Sequence, residues 1–316
     1  KSGADAVTKL AGKAAVGGHT NLYGLFVLRA LDWLAPGGIL GFVLPTSFVA
    51  GPYFAGLRAE ILDRATVLRI DLHQDREDLF LDAVQDVCLL VLRRHAVAAE
   101  PQTSYSLGLI DGSGARTALG TAEAPGKDEP WTLPVAGRAC TGAPLRLVSR
   151  KAVSTIASYG YRLKVGKIVP TRESKRLYHS PSAGRVPVLW ASDVRPDGQF
   201  KFKGSDRTAH AAWYEPADLG AITYASFGRA VLVQRTSNRD QRRRLNAAVI
   251  DATFAEAHAA HGYVAENHVI VIEPIGDEAR VEPEILAALL NSEAVNARFS
   301  VVSGSFSVSA RLLARL

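Results

Sequence analysis

Residues 22–48 read LYGLFVLRALDWLAPGGILGFVLPTSF. Leu22, Leu25, Phe26, Ala30, Trp33 and Leu34 recur at helical spacing, which predicts one amphipathic helix over 21–34. Asn21 or Thr20 can cap its start, and Pro36-Gly37-Gly38 breaks its end. The unbroken apolar run 39–44 then predicts a strand buried on both faces, as in a parallel sheet. Working outward, Pro52 opens a second helix over 52–64. Residues 66–72 and 86–93 give two further strands. Helix, strand, helix, strand, strand is the order of half an open α/β sheet. Sheets average about five or six strands, so three visible strands predict that the first half of the sheet lies upstream of Lys1.

The chain has 316 residues, enough for two domains. No apolar run approaches the roughly 18 residues of a membrane span, and residues 1–18 lack the apolar core of a signal peptide. No membrane partner is expected. Only Cys88 and Cys140 occur, far apart and without metal-ligand spacing, which fits a reducing, cytoplasmic setting and no metal site. Methionine is absent, so Lys1 is expected not to be the natural start.

Charge divides the chain. Residues 1–150 carry 15 basic and 15 acidic side chains, whereas 162–244 carry 17 basic and 7 acidic. A compact basic segment beside a neutral domain suits a polyanion such as nucleic acid, although an arginine-rich solvated surface would have the same composition. Texture changes near 151 as well. Short apolar pieces at 186–190, 230–234 and 268–272 alternate with Gly, Asp and Asn turns, and a single helix is expected over 283–298. The reading is therefore α/β: a partial Rossmann-like sheet in 1–95, a connecting segment with one or two strands in 96–150, and a mainly β, α+β domain in 151–316.

Several local patterns occur in a fixed order. Asn21-Leu22-Tyr23-Gly24 precedes Pro36-Gly37-Gly38 and the strand closing at Pro45. Leu57-Arg58 sits in the next helix, Phe80 in the loop before the strand 86–93, and Leu290-Asn291-Ser292 near the end. Together these resemble the adenine-specific (N6) DNA methyltransferases of the TaqI type, from type II restriction-modification systems. The likeness runs over nearly the whole chain. It implies the back half of a catalytic domain followed by a target recognition domain. The family's glycine motif for S-adenosyl-L-methionine and its Asn-Pro-Pro-Tyr motif both precede the Asn-Leu-Tyr helix, and neither occurs here. The resemblance thus implies a complete enzyme that uses S-adenosyl-L-methionine, and a fragment inactive by itself. Implied partners are double-stranded DNA and either the N-terminal catalytic half or a restriction endonuclease.

Adenine inside a duplex must be swung out before its amine can react, and an aromatic face can replace the lost stacking. By resemblance Phe80 is that aromatic; read from its residues alone, it could instead close the sheet edge. Tyr23 and Phe26 read as core at helical spacing, and Asp71 as a turn or cap at a strand end. In the second half, Gln234, Arg235, Thr236, Asn238, Arg239, Arg242 and Arg243 follow an apolar strand and project as a loop. Arg can bind guanine in a bidentate way, Asn and Gln can do so with adenine, and Arg also neutralises phosphates. Lys164, Lys167, Arg172 and Lys175 resemble the family's first recognition loop and are expected on phosphates. The alternative is a DNA-binding specificity subunit that docks, through the 21–93 sheet, on a separate catalytic chain.

Overall fold

A computed structural model describes residues 22–74, 79–80, 85–97, 102–124, 126–127, 129–131, 133, 154–206, 209–236, 243–302 and 308–315. The chain divides into two compact units, the first made chiefly of residues before 151, the second chiefly of residues from 151 on.

The first unit opens with helix α1 (Leu22–Trp33) and strand β1 (Ile39–Pro45). A 3-10 turn over Pro52–Phe54 leads into α2 (Ala55–Arg64), followed by β2 (Ala65–His73) and β3 (Val87–Arg94). Strands β4 (Ser104–Ile110) and β5 (Arg116–Glu123) complete a five-stranded sheet in the order β1-β3-β2-β4-β5. The stretch expected as a connection with one or two strands supplies two, and both join this sheet. Only β2 and β4 run parallel; the other neighbours are antiparallel.

The apolar strand does not have two buried faces. β1 is an antiparallel edge strand whose only strand neighbour among the described residues is β3. Its exposure alternates: Leu40, Phe42 and Leu44 turn toward the core, while Ile39 and Val43 are 65% and 61% exposed. An antiparallel edge allows one solvated face, which a run of apolar residues cannot reveal. Phe26, expected in the core, is 65% exposed on the outer stripe of α1. Tyr23 does pack inward, stacked on Phe54 with centroids 5.2 Å apart and its hydroxyl 3.1 Å from Ser47 Oγ.

Buried Val27, Leu28 and Leu31 of α1, with Leu57 and Ile61 of α2, cover Ile70, Leu90 and Leu107 of the sheet. Arg58 ties together the turn between β1 and α2. It is buried, and its Nη1 donates to Phe48 O and Gly51 O, each at 2.8 Å. Trp131 closes the same core, edge-on to Phe48, with its amide on Val49 O.

Asp71 is no turn residue. It lies inside β2, fully buried, with Arg69 Nε and Arg116 Nε each 2.8 Å from its carboxylate. Gly108 on β4 is needed beside it, because a Cβ there would collide with Asp71 Oδ1. The hydrogen-bonded Asp71–Arg116 pair ties β2 to β5 across β4, and Arg69, on β2 itself, adds a second cation beside the carboxylate.

In the second unit, β6 (Tyr161–Val165), β10 (Val231–Gln234), β11 (Ala247–Val249) and β13 (Val269–Pro274) form an antiparallel sheet in the order β11-β10-β13-β6. A smaller sheet, β12-β8-β9-β7, uses β7 (Leu177–Tyr178), β8 (Val186–Leu189), β9 (Trp213–Tyr214) and β12 (Val264–Ala265). Helix α3 (Ala252–Ala257) is capped by Asp251, which accepts from Phe254 N at 2.6 Å. The single helix expected over 283–298 is two: α4 (Pro283–Asn291) and α5 (Glu293–Val302). Ser292 makes the break. Its backbone is extended, its hydroxyl donates to Leu289 O at 2.7 Å, and it accepts from Val295 N at 3.3 Å. It ends one helix and caps the next. A last turn, α6 (Ala310–Leu313), is capped by Ser309.

Asp71→Ala removes the shared acceptor and leaves Arg69 and Arg116 as adjacent cations. Both guanidiniums are partly solvated, so a loss of about 1–2 kcal/mol is expected. Urea unfolding should show a lower midpoint with an unchanged slope.

Candidate nucleic-acid interface

The second unit brings the two basic segments to one place. The agent is the turn 266–268 at the start of β13. On one side, Gly166 N donates to Val269 O at 2.9 Å, and Asn267 N donates to Ile168 O at 2.9 Å. Ile168 and Glu266 form a parallel bridge. Gly166 permits this approach, since a Cβ would run into the carbonyls of Glu266 and Ala265. On the other side, Arg235 N donates to His268 O at 2.7 Å, and Arg235 Nη1 donates to Asn267 O at 2.9 Å. Lys167 from the first segment, and Arg235 and Thr236 from the second, therefore leave the same end of the sheet. Lys167 and Thr236 are exposed, and Arg235 is half-buried.

The loop that begins at Arg235 grows from a closed neck. Gln234 is buried; its Nε2 donates to Ala191 O at 2.9 Å and Val194 O at 2.8 Å. Its Oε1 accepts from Asn246 Nδ2 at 3.2 Å, and its amide donates to Asn246 O at 3.0 Å. Expected to read a base, Gln234 has its side-chain amide engaged inside the protein instead. Two further asparagines hold the returning strand. Asn291 clamps Ala247 through both amide atoms, at 2.9 Å to its N and 2.8 Å to its O. Asn296 accepts from Leu245 N at 2.7 Å while donating to Leu290 O and Ser292 O. Asn291 thus behaves toward β11 as an extra strand would.

Arg243 is half-buried against this frame and donates to Pro196 O and Asn291 O. Asn238, Arg239 and Arg242 lie outside the described residues. Lys164 is not a free cation: with Arg162 it holds Glu273, a carboxylate 4% exposed. Burial alone would raise the Glu273 pKa, but hydrogen bonds from Lys164, Ser226 and Arg162 together hold it below the usual carboxylate value. Arg172 and Lys175 are exposed, near the 3-10 turn Ser174–Arg176.

Asn246, Asn291 and Asn296 were not among the sequence-derived site residues. Asn291 lies in the Leu-Asn-Ser likeness, yet nothing in its local sequence shows that it clamps a strand 44 residues away.

Phe80 belongs to the first unit, in the link between β2 and β3, and is 46% exposed. That exposure differs from a core residue closing a sheet edge. Its acidic neighbours Asp75, Glu77, Asp78 and Asp82 lie outside the described residues. Among the described residues of this unit, no glycine-rich strand-to-helix turn offers a seat for S-adenosyl-L-methionine. Nor do the described residues anywhere contain a cluster of three metal-ligating side chains. None of the described helices is long and apolar enough to cross a membrane.

No family model matches the chain. Over 88 residues it is 31% identical to the type II methyltransferase M.BsuBI of Bacillus subtilis, and over 61 residues 38% identical to M.PstI of Providencia stuartii. These stretches are 27% and 19% of this chain, but only 18% and 12% of those relatives. Among solved structures, the type IIL restriction-modification enzyme MmeI in complex with DNA matches 94% of this chain and 41% of its own, with a TM-score of 0.52. At 11% identity that is a likeness of fold. Part of the chain is therefore similar to type II methyltransferases, and its fold is similar to that of a restriction-modification enzyme.

Asn291→Ala strands the N–H and C=O of Ala247 in a part-buried site. Leaving such groups unpaired costs about 1–3 kcal/mol. Denaturant unfolding should register that loss. Tryptic cleavage after Arg243 and Arg244 should accelerate severalfold in the variant relative to a surface control such as Lys201→Ala.

Proposed function

We propose that the chain is the DNA-recognition part of a site-specific adenine-N6 DNA methyltransferase of a restriction-modification system. The observation that carries this reading is the convergence of Lys167, Arg235 and Thr236 at one end of a sheet, below a loop with a hydrogen-bonded neck. The partial similarity to type II methyltransferases supplies the reaction class.

In this reading the second unit grips duplex DNA. Exposed Lys167, Arg172 and Lys175 neutralise phosphates and set register. Thr236, Asn238, Arg239 and Arg242 form the reading edge, because Arg and Asn can pair bidentately with guanine and adenine. A hydrogen-bonded neck matters here, since backbone held in place before contact lowers the ordering cost of binding. Phe80 in the first unit receives the extruded adenine, replacing stacking worth about 1–3 kcal/mol. In the complete enzyme S-adenosyl-L-methionine supplies the methyl group. In this reading its binding is assigned to polypeptide carrying the glycine and Asn-Pro-Pro-Tyr motifs, which do not occur in this sequence.

A second reading, a specificity subunit docked on a separate catalytic chain, is favoured by β1, which among the described residues is an edge strand. Ile39 and Val43 on that strand are exposed, as are Leu22, Phe26 and Trp33 along α1. A long apolar edge strand facing water is a liability that proteins normally cover. Both readings give this chain the same task on DNA and differ in whether the catalytic residues share its polypeptide.

Fluorescence anisotropy with labelled duplexes tests the DNA-binding claim. Affinity should fall linearly in log–log form with salt, at a slope of about −0.9 per phosphate neutralised. Lys167→Ala should weaken all duplexes alike and shallow that slope by about one phosphate. Arg239→Ala or Arg242→Ala should cost about 1–3 kcal/mol on the preferred site alone. Salt-independent binding, or none, refutes the reading. So does methyl transfer to DNA by this chain alone with added S-adenosyl-L-methionine.

A further inference from the structure

A hairpin beside the neck of the loop lies outside both basic segments. Residues 193–201 double back through Arg195-Pro196-Asp197-Gly198. Lys201 N donates to Asp193 O and Arg195 N to Gln199 O, each at 2.9 Å, and Val194 and Phe200 form an antiparallel bridge. Gly198 N donates to Arg195 O at 2.9 Å, with Gly198 at φ +88°, a left-handed value that glycine adopts without strain. Pro196 suits the second position of such a turn, and Asp197 Oδ1 accepts from Gln199 N at 3.0 Å. On the inner side Val194 is buried, and Phe200 and Phe202 pack edge-on against Phe254 at 5.2 and 5.0 Å.

Three contacts join this hairpin to the neck. Gln234 Nε2 donates to Val194 O at 2.8 Å, and Arg243 Nη2 donates to Pro196 O. Gly198 lies so close to the Asn291 clamp that a Cβ would stand 3.2 Å from Asn291 Nδ2. Because Gln234 immediately precedes Arg235, the hairpin stands at the end of the sheet from which Lys167, Arg235 and Thr236 emerge. Its Arg195 adjoins the very residue that Arg243 holds. The Arg195 side chain is 46% exposed, with Nε 3.5 Å from Oδ2 of Asp197, itself 49% exposed. A pair so exposed contributes no more than about 1 kcal/mol. A phosphate offers the guanidinium two charged acceptors in matching geometry, a stronger partner.

We propose that Arg195 is a phosphate contact, and that Asp197 occupies its guanidinium until DNA takes over. The assignment rests on the DNA-binding reading above and extends it to a third element, the hairpin. The exchange is inexpensive because the two oxygens of Asp197 have separate tasks. Oδ2 faces Arg195, whereas Oδ1 accepts from Gln199 N and keeps the turn closed after Arg195 leaves. Backbone already held by the hairpin's own bonds lowers the ordering cost of the new contact.

Duplex binding by the full chain, followed by anisotropy across a salt series, tests this. The variants are Arg195→Ala, Asp197→Asn, both together, and Arg280→Ala. Arg280 is an exposed cation whose amide donates to Tyr159 O, beyond the opposite end of β13, so it controls for net charge alone. Arg195→Ala should weaken all duplexes alike and shallow the log–log slope by about 0.9, the share of one phosphate. Arg280→Ala should leave the slope unchanged. Asp197→Asn keeps an acceptor for Gln199 N and removes the competing charge, so it should tighten binding about two- to fivefold at low salt. That gain should shrink when Arg195 is also replaced. Circular dichroism should report the same fold throughout. A slope untouched by Arg195→Ala, or lowered equally by Arg280→Ala, overturns the role of Arg195. So does an Asp197→Asn variant that binds no tighter, or one whose full gain persists without Arg195. In each of those cases salt-dependent binding by the unmodified protein leaves the DNA-binding reading standing. Absence of duplex binding by the unmodified protein defeats that reading itself, and the role of Arg195 with it.

Discussion

A loop rich in arginine has no reason to hold one shape: its charges repel, and nothing in it seeks burial. What the structure fixes is the neck on either side of residues 237–242, through the pairing of buried amides. Gln234 and Asn246 bond to each other where the chain leaves and re-enters the sheet. Asn291 and Asn296 then satisfy the backbone of the returning strand at Ala247 and Leu245. Amide side chains suit this task because each carries both a donor and an acceptor, so a strand lacking a neighbour can still be paired. An unpaired group here would be costly, which is why the arrangement is closed on every side.

The same constraint sorts the basic residues into two kinds. Lys164 and Arg162 neutralise Glu273, and Arg243 braces the neck against Pro196 and Asn291. These cations stabilise the fold and contribute to a polyanion surface only at a distance. Lys167, Arg172 and Lys175 are exposed and remain able to meet a phosphate. A net charge of +10 over residues 162–244 therefore overstates the charge available for contact.

In the first unit the decisive feature is the insertion of β3 between β1 and β2. β3 runs antiparallel to both, placing β1 at the edge of the sheet. The insertion puts the β2–β3 link, with exposed Phe80, at one end of the sheet, and leaves Ile39 and Val43 exposed on an apolar strand.

The sequence by itself determined the segments. Periodicity and turn residues located α1, the strands β1 to β3 and the apolar strands of the second unit to within a residue or two, because those signals are local. It also marked the arginine-rich loop and the boundary in texture near 151. Only the tertiary structure decided what each segment faces. An apolar run looks the same at an edge as in a sheet centre, so the exposure of Ile39 and Val43 was invisible. Gln234 and Lys164 have the chemistry of DNA ligands, yet partners far away in sequence, Ala191, Val194 and Glu273, engage them first. Asn291 gains its role in the same way, through backbone brought near by strand order. Hydrogen bonding is short-ranged in space and indifferent to sequence separation, so no local pattern can announce it.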